Sequence, residues 1–76
     1  MKNATTAPII RKFRKKSLGL SVPRAARALG IGAGTWYAWE TGPNSPDLNA
    51  VRLMYQNDRF RPLASMLLDV PGRLYD

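Results

Sequence analysis

Residues Leu18 to Gly42 read LGLSVPRAARALGIGAGTWYAWETG, and the fold is decided in this stretch. Ser21 is a favoured N-cap, because its side-chain oxygen accepts a backbone N–H that a helix start leaves open. Pro23 then falls in the first turn, where a missing N–H costs nothing. From Val22 to Leu29, the small and apolar Ala25, Ala26 and Leu29 share one face while Arg24 and Arg27 share the other. Gly30 follows as a left-handed stop, a conformation glycine adopts without strain. After Ile31 and Gly32 a second short helix is predicted over Ala33 to Thr41, ended by Gly42 and Pro43. The pattern is helix, tight glycine turn, helix.

Working outward, Pro8 to about Ser17 places Ile9, Ile10 and Phe13 on one face, with Arg11, Lys12, Arg14, Lys15 and Lys16 filling the rest. This predicts an amphipathic first helix, preceded by a flexible arm over residues 1–7 and ended by Gly19. On the other side, Ser45 reads as an N-cap with Pro46 and Asp47 opening a fourth helix to about Gln56, its Leu48, Val51, Met54 and Tyr55 turned inward. Arg59-Phe60-Arg61-Pro62 interrupts the pattern, and Leu63, Met66, Leu67 and Val70 form a last apolar stripe. The expectation is an all-α bundle of about five helices over residues 8–70, with a tail at 71–76.

The chain has 76 residues, enough for one core and no second domain. No apolar run approaches the ~20 residues that cross a bilayer, and the start of the sequence lacks the pattern of a secretory signal, so a cytoplasmic address is expected. Cysteine and histidine are both absent, which removes disulfides, the usual metal ligands and the commonest catalytic base and nucleophile. No catalytic residue, metal site or cofactor is expected.

Charge is more telling. Twelve Lys and Arg face five Asp and Glu, for a net +7. The first acid is Glu40, and Lys2, Arg11, Lys12, Arg14, Lys15, Lys16, Arg24 and Arg27 all precede it. A surface of this kind suits a polyanion, since each neutralised phosphate releases condensed counterions.

The stretch quoted above resembles the helix-turn-helix of lambdoid phage repressors and Cro proteins, the xenobiotic-response-element type, over roughly residues 10 to 55. Ala26 matches the small site where the two helices cross, Gly30 the turn, and Leu29, Ile31, Trp36 and Trp39 the apolar positions, while Glu40 and Gly42 match a closing Glu-x-Gly. Each match has a physical reason: helices crossing at ~90–120° leave no room for bulk, and the turn needs a positive φ. The resemblance implies a lambda-repressor-like bundle whose third helix enters the major groove of double-stranded DNA. In that family a basic residue of the first helix pairs with the glutamate matching Glu40; Lys15 fits by ungapped counting and Arg14 by the apolar phase.

At ~100° per residue, a third helix with Trp36 in the core turns Gly34, Tyr37, Ala38 and Thr41 away from it. Expected base contacts are therefore Ala33, Gly34, Thr35, Tyr37, Ala38 and Thr41, a face poorer in hydrogen-bonding groups than the family usually carries. Part of the specificity would then come from DNA shape. Expected phosphate contacts are Arg14, Lys15, Arg24 and Arg27, with the N-terminus of the second helix at Ser21 and Val22 and the loop at Asn44 and Ser45.

Several residues admit a plainer reading. Trp36 and Trp39 fit base stacking as well as core packing, Tyr37 fits the edge of the core as well as DNA, and the basic run fits a solvated face or an anionic membrane surface. Leu63, Met66 and Leu67 fit either the monomer's core or the contact of a homodimer, which would place two recognition helices ~34 Å apart on a palindromic operator. The function these features imply is a phage- or prophage-type repressor or Cro-like regulator. The alternatives are an antitoxin with the same DNA-binding domain, its toxin surface after Asn57, and a phage-encoded module that inhibits a host protein.

Overall fold

A computed structural model describes residues 3–41 and 44–69, and among them the chain is all helical. The elements are α1 (Asn3–Lys12), a π-helical segment (Phe13–Leu18), α2 (Val22–Leu29), α3 (Ala33–Thr41), α4 (Leu48–Gln56) and α5 (Arg61–Leu68). Helix α3 packs on α1 and α2, α4 packs on α5, and α1 also reaches α5, which closes the bundle around one core. No helix of the described residues is long and apolar enough to cross a membrane.

The α2–α3 unit forms as its residues dictate. Ser21 Oγ accepts the N–H of Arg24 at 3.4 Å, capping α2. At the other end Gly30 has φ 89°, its N–H donates to Arg27 O at 3.1 Å, and the N–H of Ile31 donates to Ala26 O at 2.9 Å. That bond pair is a Schellman closure, and it needs a left-handed residue at position 30. Ala25, Ala26 and Leu29 are buried beneath it.

An aromatic cluster forms the centre of the core. Trp36 is wholly buried, with its ring centroid 5.5 Å from Trp39 and 5.9 Å from Phe60, the latter edge-on at 71°. Phe60 in turn lies 6.2 Å from Phe13. Such tilted pairs add to the burial of the rings themselves. Phe60 falls in the stretch that interrupts the sequence pattern, so periodicity gave no sign that it is among the largest fully buried side chains.

Four expectations change. The arm expected over residues 1–7 is helical from Asn3 onward, with Thr6 buried and its Oγ1 3.4 Å from Ser45 Oγ. Packing against the segment before α4 extends the helix, although Pro8, now inside α1, removes one backbone bond. Next, the first helix does not end as a plain α-helix: its last six residues are π-helical, and Gly19, at φ 65°, donates its N–H to Arg14 O five residues back at 2.8 Å. Helix α4 begins later than expected, because Asp47 rather than Ser45 is the cap, its Oδ1 accepting the N–H of Ala50 at 2.9 Å. Its buried stripe is then Ala50, Val51 and Met54, and Leu48 and Tyr55 are exposed.

The fourth correction concerns α5. Leu63 and Leu67 are fully buried with Ala64 in the monomer's core, and of the three residues expected at a dimer contact Met66 alone is exposed. The helix turns its i, i+1, i+4 stripe toward α1 and α4, so Leu63 and Leu67 take the core role of the two that the sequence left open, while Met66 and Leu68 stay exposed. The stop at Gly42 and Pro43, Val70 and the tail at 71–76 lie outside the described residues.

Candidate nucleic-acid interface

Helix α3 is held by its own buried acid. Glu40 accepts Trp36 Nε1–H at 2.7 Å from one turn back, and its carboxylate takes two N–H donors of Arg14, Nε on Oε2 and Nη2 on Oε1, the latter at 3.0 Å. Arg14 Nη1 also donates to Leu20 O at 2.9 Å, so one guanidinium joins the π-helical segment, the link into α2 and the end of α3. A forked pair of this kind is among the strongest side-chain contacts and fixes orientation. Of the two residues that sequence left open as the partner of Glu40, the structure therefore selects Arg14.

The π-turn makes this geometry available: Phe13 enters the core while the next residue turns its side chain toward Glu40. Widened turns of this type recur at functional sites. Arg11 approaches Glu40 Oε1 at 3.7 Å from the solvent side.

Burial pushes the Glu40 pKa upward, but the hydrogen bonds from Arg14 and Trp36 and the charges of Arg14 and Arg11 outweigh it, so the carboxyl stays below its ordinary value of 4.5. The bond to Glu40 raises Arg14 above its own ordinary range against the opposing effect of burial. Both groups are charged at neutral pH.

With Trp36, Trp39 and Glu40 inward, α3 leaves Ala33, Gly34, Thr35, Tyr37 and Thr41 exposed and Ala38 half-buried. All six residues expected at the bases thus keep solvent access on one element. Tyr37 is 61% exposed, which removes it from the core. Thr41 spends its hydroxyl proton on Tyr37 O at 3.0 Å within the helix. Thr35 forms one wall of a groove of about 290 Å³ shared with Ile31, Trp39, Ser45, Asp47, Asn49, Ala50 and Leu53.

The expected phosphate residues separate into distinct places. Lys15, Ser21, Arg24, Arg27 and Asn44 are exposed, Val22 and Ser45 are half-buried, and Arg14 is committed to Glu40 with a side chain only 12% exposed. Arg14 is thus a strut of the fold, and Lys15 and Lys16 beside it are exposed cations of that segment. The loop residues Asn44 and Ser45 precede α4, whose first turn is capped by the Asp47 carboxylate. Arg59, which the sequence reading passed over, stands with Arg24 and Arg27 around one groove. Comparison of the chain with known protein families, with characterised proteins and with solved structures finds no match.

Proposed function

We propose that the chain is a sequence-specific, double-stranded DNA-binding regulator of the phage repressor or Cro-like type, acting in the cytoplasm where its operator lies. Its α2, glycine turn and α3 serve as the helix-turn-helix, with α3 in the major groove. The observation that carries this reading is the division of α3. Two tryptophans and the only acid of the helix face inward, leaving an exposed face of small, hydroxyl and phenolic groups without negative charge, in a chain of net charge +7. Ala33 and Ala38 suit thymine methyl groups, Gly34 allows close approach of the backbone, and Thr35 and Tyr37 bring donors and acceptors to base edges. Lys15 takes the phosphate role that Arg14, bound to Glu40, leaves to its neighbour.

Selection of bound sequences from a random duplex library tests the reading, with a palindromic consensus as the expected result. No enrichment over the starting library would sink it. In follow-up binding, Tyr37→Ala or Thr35→Ala is expected to change the preferred bases by about 1–3 kcal/mol per contact. Lys15→Ala is expected to weaken all duplexes alike and to lower the salt slope by about one.

A further inference from the structure

On the outer face of α2, opposite the face that packs on α3, Arg24 and Arg27 border a groove of about 310 Å³ whose floor includes Leu20 and Ala28. The far wall comes from the α4–α5 turn, where Arg59 is presented by a specific tie: Asn57 Nδ2 donates to Ala28 O at 3.2 Å, and Asn57 Oδ1 accepts the N–H of Arg59 at 3.0 Å. One asparagine therefore docks a turn 29 positions away in sequence onto the end of α2, and the arginine of that turn lines the same groove as the two others.

Three exposed arginines share this groove without an ion pair among the described residues. The adjacent acid, Asp58, is bound at 2.9 Å by Arg61. Compensation of the α2 dipole would account for Arg27 and Arg59 near its C-terminal end. It does not account for Arg24, which lies in the first turn, where the dipole disfavours a cation. All three cations of the groove are guanidiniums, whose planar fork matches phosphate oxygens two at a time.

We propose that Arg24, Arg27 and Arg59 form a phosphate cradle that grips the sugar-phosphate backbone of the duplex at a point separate from the groove-entering face of α3. The apolar floor of Leu20 and Ala28 suits the sugar between two phosphates. The inference rests on the DNA-binding reading above and adds to it a contact from the α4–α5 turn.

Its test uses the full chain and two probes, a duplex carrying the selected site and inorganic pyrophosphate. Arg59→Ala is expected to weaken selected and random duplexes by the same factor, about tenfold for one charged hydrogen-bonding group, and to lower the slope of log K against log salt by about one. Arg59→Lys should restore the slope but not the full affinity, and it guards against loss of fold in the alanine variant. In NMR spectra the Arg24, Arg27 and Arg59 Nε–H signals should shift with pyrophosphate, and duplex should displace it. Unchanged duplex affinity and slope in Arg59→Ala, with Tyr37→Ala still altering sequence preference, would remove the cradle and leave the DNA reading standing. Pyrophosphate binding that duplex cannot displace would overturn the cradle's backbone role in favour of a small phosphorylated ligand. Absence of duplex binding by the unaltered chain would take both proposals away.

Discussion

Glu40 concentrates the consequences of single residues. Its side chain is nearly inaccessible yet accepts hydrogen bonds from two partners, so Glu40→Ala leaves the Arg14 guanidinium without its counter-charge and the Trp36 indole N–H unpaired. Loss of roughly 3 kcal/mol of stability is expected, read by chemical denaturation. The sign with pH follows from the depressed carboxyl. Its contribution is complete above the ordinary value of 4.5 and is lost as pH falls through the lower folded value. Glu40→Gln should flatten that acid limb, and an acid limb equal to that of the unaltered protein would assign the effect elsewhere. At Gly30 a Cβ would meet no atom within 4 Å, so Gly30→Ala should cost only its backbone strain at φ 89°, about 1–2 kcal/mol. Thermal unfolding measures it, and Gly30→Asn should cost less. Sequence alone identified this glycine and Ser21, because caps and turns act over a few bonds, and helical spacing placed Ala26 on the buried face of α2. It did not separate Arg14 from Lys15, since counting and apolar phase pointed to different residues and the π-helical turn that follows Lys12 leaves no period of its own.

Among the elements, α2 was legible because its cap at Ser21, its stop at Gly30 and its buried face agree, and α3 because Trp36 and Trp39 mark its inward side. Helix α4 starts later than expected because Asp47, not Ser45, is the cap, with Pro46 before it buried in the core. Helix α1 extends back past Pro8 because Thr6 finds a place against the segment before α4, a contact across 39 positions that no local rule anticipates. Phe60 belongs to a turn and still fills the centre of the core, where aromatic neighbours from two other elements converge. The burial of α5 carries its own expectation. Leu63→Ala or Leu67→Ala should destabilise the monomer by about 2–5 kcal/mol, whereas Met66→Ala should change stability little. Denaturation compared with sedimentation distinguishes this outcome from the separation of an intact dimer.

At the scale of the whole molecule, the described Cα atoms span 29 Å in their longest direction. That is shorter than the ~34 Å between half-sites on one face of a duplex, so on the DNA-binding function proposed above a single copy would cover one half-site. A palindromic site is expected to take up two chains and a half-length duplex one, as measured by the mass of the complex in solution; equal occupancy of the two would exclude two-fold binding. Such pairing must use surface other than Leu63 and Leu67, which the core has consumed. The bareness of α3 also bears on how the chain can change over generations. A side chain added at Gly34 meets nothing within 4 Å, and Ala33, Tyr37 and Thr41 project outward. The residues that keep α3 in place are therefore not the ones that face outward from it. If that face reads DNA as proposed, new preferences can be written onto it one substitution at a time, while the tryptophans and their acid continue to hold the helix.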